Sequence, residues 1–293
     1  MPEAALPRSG DARALAAALL GVLFVCLSLG PSAARAVVVT MGVAPQRSPL
    51  VLARVWAPLL RAIGRVAHCR MRFATARSLP TFQRRMSHSD YDLAYLDPYQ
   101  YYIAHRDAGY QVLVRDTGHL RGILFVNRAS RIRTLRGLDD HMLAFPAPDA
   151  LAASLLPQTV LQARGIRFRA AYLGSQGAVY RSVAVGLYVA GAGVAGLPGF
   201  SRAVRARLRI LWTGPSLPPH PLVYSPVLPP ALVARLRKAF LALSRGGRGR
   251  TLLARIDVRR FVPVSPGNYR PERIFPLPLV TPDRAVASAS WAR

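Results

Sequence analysis

The sequence predicts an α/β fold in which apolar strands and amphipathic helices alternate along the chain. Two runs of this alternation follow one another, and each begins with a strongly apolar strand. The composition, with 52% hydrophobic residues, 22 Gly and 25 Pro, is typical of a globular protein with many loops. A length of 293 residues suffices for one large domain or for two lobes of about 100–150 residues each.

Residues 1–36 have the pattern of a secretory signal peptide. Arg8 and Arg13 precede an apolar run at 14–29, and a small-x-small sequence ends at Ala36. A membrane anchor is the alternative, but the run is shorter than the roughly 20 apolar residues that a span needs. We therefore expect cleavage after Ala36 and a periplasmic location.

The predicted mature chain has Cys69 as its single cysteine, so an internal disulfide is excluded. Export with a lone thiol fits a bacterial periplasmic protein that depends on its hydrophobic core for stability. We expect the Cys69 thiol to be buried as a small apolar group and not to act as a nucleophile.

The first run of elements opens with a β-branched strand and continues with a helix that begins at Pro49. Leu52, Trp56 and Leu59 lie on one face of this helix at helical spacing. The order indicates a sheet of parallel strands that end on one side, where ligands bind in α/β proteins. The predicted strands are 37–45, 69–76, 91–98 and 110–116, and the helices after the first are 78–90 and 99–109.

The second run repeats the alternation and then leads into a proline-rich segment at 215–230, which we interpret as a crossing between lobes. A helix with an apolar stripe of Leu232, Leu236 and Phe240 follows it. The sequence RGGRGR at 245–250 is predicted to be a turn between helices. The second run comprises strands at 122–130, 168–174, 187–194 and 207–214, a further strand within 134–148, and helices at 150–165 and 175–186.

The formal net charge of +27 suggests nucleic acid as a partner. Lys238 is the only lysine among the 40 basic residues, and the arginines are scattered along the chain. A solvated basic surface is therefore the better interpretation, and no nucleic-acid partner is expected.

The sequence holds no recognisable catalytic motif. It lacks the nucleophile-elbow, zinc-protease, Cys-x-x-Cys and Walker patterns, and its six histidines are not spaced as metal ligands. We therefore expect no enzyme activity, no cofactor and no metal.

Several predicted strand ends and helix starts carry groups suited to ligand binding. Tyr95 and Asp97 follow a strand, and helix starts offer the free N–H groups of Ala150, Leu151 and Ala152 and those beside Ser175. Ordinary capping by Asp149 and Ser175 is the alternative role for these two starts. If Asp149 caps its helix, it opposes a phosphate; it could instead turn outward and leave the backbone free for an oxyanion.

Four segments, at 91–113, 135–166, 172–194 and 208–229, resemble in order and spacing the signature segments of the phosphate/phosphite/phosphonate-binding proteins of ABC transporters. They begin with YDLAYLDP, LRGLDDHMLAFPAPDALAAS, YLGSQGAVY and LRILWTGPSLPP. The resemblance covers about residues 37–270.

This resemblance implies the type 2 periplasmic binding protein fold, with two α/β lobes joined by two inter-lobe crossings. The crossings would lie near 115–122 and 213–224. Lobe 1 would then be discontinuous, and the predicted boundaries are 37–118 with 220–275 for lobe 1 and 119–219 for lobe 2, followed by a tail at 276–293 for which disorder is an expectation.

The resemblance also places a ligand between the lobes and exposes departures. Where phosphonate-binding members have hydroxyl side chains at a helix start, this chain has Ala150, Leu151 and Ala152, and Ser154 is the nearest hydroxyl. An acid that holds the ligand's amino group is missing within 186–190. The implied ligand-binding residues are Tyr95, Asp97, Asp149, Ala150, Leu151, Ala152, Ser154, Ser175 and Gln176.

The predicted function is capture of a small anionic or zwitterionic solute by a monomer that delivers it to an ABC transporter permease. A sensory module for a membrane signalling protein is the alternative, because it would use the same fold. An exported nucleic-acid binder is a third possibility, which a lack of DNA binding at low salt would exclude.

Overall fold

The computed structural model describes residues 37–45, 47–196, 202–265, 267–270 and 274. The predicted signal peptide at 1–36 and the predicted tail at 276–293 lie outside the described residues. Within the described part of the chain, no helix is long and apolar enough to cross a membrane.

The strands form two separate sheets. Sheet 1 has the strand order β11-β4-β10-β3-β1-β2, and sheet 2 has the order β7-β6-β8-β5-β9. The strands are β1 Val38–Val43, β2 Arg70–Ala74, β3 Leu93–Tyr95, β4 Gln111–Asp116, β5 Gly122–Asn127, β6 His141–Phe145, β7 Phe168–Tyr172, β8 Ala190–Val194, β9 Leu208–Thr213, β10 Pro221–Tyr224 and β11 Phe261–Val262.

Helices connect most of these strands. A π-helical segment, Leu151–Leu155, leads directly into α4, and a 3-10 turn covers Leu135–Leu138. The helices are α1 Pro49–Ala67, α2 Leu79–Ser87, α3 Pro98–Ala108, α4 Leu156–Ala163, α5 Gln176–Ala184, α6 Arg202–Ala206, α7 Pro230–Leu243 and α8 Gly247–Ala254.

Each sheet is covered by apolar side chains on both faces. Leu52, Trp56 and Leu59 of α1 are buried against β1 and α7, as the helical spacing of these residues predicts. Phe82 and Tyr91 lie in the cluster on the opposite face of sheet 1, where their rings stack with centroids 5.0 Å apart. Sheet 2 has two corresponding clusters.

One apolar cluster, which we call the joining cluster, contains residues that follow strands of both sheets. Tyr99 of α3 comes after β3 of sheet 1, whereas Leu151 and Leu155 come after β6 of sheet 2. The members of the joining cluster are Tyr99, Leu120, Leu151, Ala152, Leu155, Leu156, Leu217 and Ile274. It therefore brings the two halves of the chain into contact.

The two connections between the sheets run side by side. Leu120 N donates to Leu217 O at 3.2 Å, and Leu217 N donates to Leu120 O at 2.8 Å. This reciprocal pair lies within the paths from β4 to β5 and from β9 to β10. Two paired connections of this kind form a hinge for motions of one sheet against the other.

The structure corrects two details of the predicted sheets. The strands of one sheet are not all parallel: β10 and β11 run antiparallel in sheet 1, and β5 runs antiparallel to β8 and β9 in sheet 2. The proline-rich segment also contains β10, between β3 and β4. Its proline, Pro221, is the first residue of the strand, where the missing N–H costs little.

The predicted turn RGGRGR is shorter than expected, because α8 begins at Gly247 within it. Cys69 is half-buried beside the core, and burial raises the pKa of its thiol. The two-sheet division is compatible with lobes at 37–118 with 220–275 and at 119–219, and these boundaries remain a prediction.

Candidate ligand-binding site

A cavity of about 730 Å³, the outer cavity, lies where strands of both sheets end. Val43 and Tyr95 are the last residues of β1 and β3, and Val194 is the last residue of β8. The start of α5 contributes Ser175 and Gln176. The carboxyl ends of strands in α/β proteins form such ligand-binding crevices, so this position matches the one expected.

The lining of the outer cavity is positively charged. It contains four arginines and two aspartates, which leaves a net charge of +2 if its histidines are neutral. Arg47 pairs with Asp257 at 2.7 Å. The other three arginines form no ion pair among the described residues; they are Arg181, Arg255 and Arg259.

Three aromatic rings form one wall of the outer cavity. The Tyr95 ring stacks on His220 with centroids 5.2 Å apart and packs at a tilt against Trp56 at 5.3 Å. Burial lowers the pKa of His220 to about 4, so this side chain is neutral at pH 7. Burial also raises the pKa of Tyr95 well above its usual value, which keeps its hydroxyl protonated as a hydrogen-bond donor.

A smaller cavity of about 80 Å³, the inner pocket, adjoins the outer cavity. Ser175, Gln176 and His220 line both. The remaining lining is mostly apolar and includes Ala150, Leu151 and Ala152, while Asp97 is its charged residue.

Asp97 caps the helix that follows its own strand. Its Oδ1 accepts the Gln100 N–H at 2.8 Å, and Gln100 Oε1 accepts the Asp97 N–H at 3.2 Å, which completes a capping box. The Leu151 N–H lies near this carboxyl group and also lowers the pKa of Asp97. Burial outweighs these hydrogen bonds, helped by the nearby Asp149, and raises the pKa of Asp97 to about 7.

Asp149 does not cap the helix after β6, and that prediction is wrong. The N-cap is Ala150, which has no side-chain cap, and the first helical residue is Leu151. The Asp149 side chain turns instead toward Gln83 of α2. Its Oδ2 accepts a hydrogen bond from Gln83 Nε2 at 2.5 Å, its Oδ1 is buried without a partner, and burial raises its pKa to about 6.

The other residues named from the sequence divide between the cavities and the core. Ser175 caps α5 as predicted, since its Oγ accepts the Ala178 N–H at 3.2 Å. Gln176 lines both cavities, and its Oε1 is buried with no hydrogen-bond partner among the described residues. Ser154 is fully buried, lines neither cavity, and has no partner for its Oγ. Asp149 lines neither cavity as well.

Sequence reasoning did not find the cavity arginines, Asp116 or His220. Asp116 ends β4 and accepts the Gly118 N–H at 3.1 Å, and His220 directly precedes β10. Both lie in the segments that were predicted as crossings, which is the signal that could have found them. Nothing in the local sequence separates Arg181 from the other arginines.

A family model described as "ABC transporter, phosphonate, periplasmic substrate-binding protein" matches residues 41–269. The chain belongs to this family. This periplasmic substrate-binding protein therefore captures a small solute and delivers it to an ABC transporter, and the sensory alternative is not favoured.

Solved structures agree with this fold. PhnD1 from Prochlorococcus marinus in complex with methylphosphonate has a TM-score of 0.72 and 16% identity, over 80% of this chain and 94% of that chain. A binding-protein component of an ABC phosphonate transporter from Pseudomonas aeruginosa has a TM-score of 0.70 and 16% identity, over 80% and 83%. A Xanthomonas citri protein bound to ATP has a TM-score of 0.62 and 18% identity, over 87% and 97%.

The predicted two-lobed fold of the periplasmic substrate-binding proteins is thus confirmed. A search of curated proteins finds no match. The family implies a periplasmic location for this substrate-binding protein.

Proposed function

We propose that the chain binds an anionic or zwitterionic solute in the cleft between the two sheets. The observation that carries this proposal is the net positive outer cavity, lined by strand ends of both sheets. Tyr95 would donate its hydroxyl to the ligand, and Ser175 and Gln176 would contact it from the start of α5. The solved relatives carry anions of different sizes, methylphosphonate in one and ATP in another.

The proposed mechanism is closure about the paired connections at Leu120 and Leu217. A ligand that contacts both sheets stabilises the closed form, which the membrane partner then recognises. The protein would act as a monomer, without catalysis and without a nucleic-acid partner, after cleavage of residues 1–36.

Inorganic phosphate is expected to bind weakly or not at all. The helix start at Ala150–Ala152 has no side-chain hydroxyl, and the carboxylates of Asp97 and Asp149 are both buried near it. A dianion at this position would meet like charges at close range in a site that excludes water. Ligands with fewer or more widely separated charges avoid that cost.

Calorimetry and small-angle scattering test the proposal together. We expect a bound anion or zwitterion to reduce the radius of gyration, and Gln176→Ala to weaken its binding by about tenfold, the loss of one hydrogen bond. Gln162→Ala, at an exposed position of α4, is the matched control. A protein that shows neither heat nor compaction with phosphonates, amino acids, organic acids and nucleotides would contradict the proposal.

A further inference from the structure

The inner pocket already contains a carboxyl group that belongs to the protein. The Asp97 carboxyl group, which follows β3, lies close enough to the Leu151 N–H, at the helix start after β6, for that group to lower its pKa. A helix start of this kind is where a bound oxyanion would sit. The protein's own carboxyl group therefore lies where a ligand oxyanion would approach this donor.

Two further contacts hold this arrangement in place. Gln83 donates to Asp149 across the same junction, and the joining cluster packs Tyr99 against Leu151 and Leu155. A small oxyanion that entered the inner pocket would have to displace Asp97. The space of about 80 Å³ leaves little room for both the Asp97 carboxyl group and a ligand oxyanion.

The outer cavity has the opposite character. Arg181 lies over the first turn of α5: a Cβ on Gly177 would be 3.2 Å from Arg181 Nη1. Arg255 and Arg259 line the same cavity from the segment after α8. Arg259 is close enough to Asp116 for its charge to lower the pKa of that carboxyl against the larger effect of burial.

These positions put unpaired positive charge on both sides of the cleft. Arg181 belongs to the helix that covers sheet 2, and Arg255 and Arg259 lie between α8 and β11 of sheet 1. A volume of about 730 Å³ is in the range of pockets that hold drug-sized molecules. Methylphosphonate, which is barely larger than phosphate, would leave most of this space to water.

We propose that the ligand is an organic polyanion held in the outer cavity, with Arg181 binding one anionic group and Arg255 and Arg259 binding another. This inference rests on the proposed function and refines it, because it moves the anion-binding groups from the helix start at Ala150–Ala152 to the arginines. The residues around the inner pocket then hold the two halves of the protein in contact.

Calorimetry with ATP, AMP, adenosine, citrate and methylphosphonate tests the inference. We expect ATP to bind with one molecule per chain, AMP more weakly, and adenosine and methylphosphonate not measurably. Arg181→Gln and Arg259→Gln should each weaken ATP binding by tenfold or more while circular dichroism and the melting temperature stay unchanged. Arg169→Gln, at an exposed position of β7 outside the cavity, is the matched control and should bind like the wild type.

The outcomes separate this inference from the proposed function. If methylphosphonate binds, and Gln176→Ala weakens this binding while Arg181→Gln does not, the inference is overturned and the proposed function is upheld. If Arg169→Gln weakens ATP binding as much as Arg181→Gln does, ATP responds only to the general positive charge of the surface. That result would also overturn the inference. Failure of ATP, AMP and citrate alike to bind overturns it, and the proposed function then depends on the remaining solutes.

Discussion

Gln83 donates a hydrogen bond from Nε2 to Asp149 Oδ2 at 2.5 Å, although 66 residues separate the two in sequence. Gln83 lies in α2, which follows β2 of sheet 1, and Asp149 follows β6 of sheet 2. Together with the contact between Asp97 and Leu151, this hydrogen bond joins the two halves of the protein. Asp97 and Asp149 are both buried beside the inner pocket.

Gln83→Ala should lower the free energy of unfolding by about 1–3 kcal/mol at pH 8, because the buried Asp149 carboxylate loses its donor. At pH 5 the loss should be smaller, since Asp149 is then protonated. Urea unfolding at both pH values measures the difference. Gln162→Ala, on an exposed face of α4, should change stability by less than about 0.5 kcal/mol. An equal loss at the two pH values would argue against a role for the Asp149 charge.

The protein should become less stable as the pH rises from 4 to 8. Burial raises the pKa of Asp97 to about 7 and that of Asp149 to about 6, against an ordinary value of 3.8. A carboxyl whose pKa is raised on folding contributes most below its ordinary pKa, and the contribution is lost as the pH passes the folded value. For Asp97 alone this loss is about 4 kcal/mol.

Asp97→Asn is the variant that checks this pH dependence. Asparagine retains the cap of α3 but does not ionise, so the decline between pH 5 and 8 should become much shallower. Asp149 remains in this variant, and Asp116 and Asp257, whose pKa values burial also raises, add a decline of the same sign. His220, whose pKa burial lowers to about 4, contributes in the opposite sense between pH 4 and 6.5, so the decisive comparison is between the variant and the wild type. Equal slopes for Asp97→Asn and the wild type would argue against a raised pKa for Asp97.

Gly122→Ala should destabilise the protein by about 1–3 kcal/mol. A Cβ at Gly122, the first residue of β5, would lie 2.2 Å from the Ala152 carbonyl oxygen, so the strand and the helix start would have to separate. The melting temperature measures the effect. Gly247→Ala, at the first residue of α8, is the control, because its added Cβ would meet only Arg250 Nη2 at 4.0 Å. Similar melting temperatures for both variants would show that the Cβ added at Gly122 causes no strain in β5.

Ser175→Ala should cost about 1 kcal/mol of stability through the lost cap of α5. Ser78→Ala removes the equivalent cap of α2, where Ser78 Oγ accepts the Thr81 N–H at 3.4 Å, and should cost a similar amount. Only Ser175 lines the cavities, so only its variant should also weaken ligand binding in calorimetry. Equal affinities of the two variants would limit Ser175 to its capping role.

Hydrophobic periodicity was sufficient to locate most elements of this fold. The spacing of Leu52, Trp56 and Leu59 predicts α1 because burial of one helix face is a local property of the sequence. Strand β10 was missed, since prolines surround it and its pairing with β3 and β4 depends on distant residues.

The candidate site was harder to predict because its geometry depends on contacts across the two sheets. Asp149 has the residue type and position of an N-cap, but its carboxyl group instead accepts a hydrogen bond from Gln83 in the other half of the chain. The three cavity arginines became visible only when the fold placed them around one space.

The position of β10 also determines when the protein can fold. Sheet 1 needs Pro221–Tyr224 between β3 and β4, so a nascent chain that has reached only Asp116 lacks the central strand of its own first sheet. Contacts between residues so distant in sequence form slowly, and the growing chain remains open until β10 and α7 have been synthesised. A chain that stops before Pro221 would leave β3 and β4 with unpaired edges, which are the sites where strands of separate molecules associate.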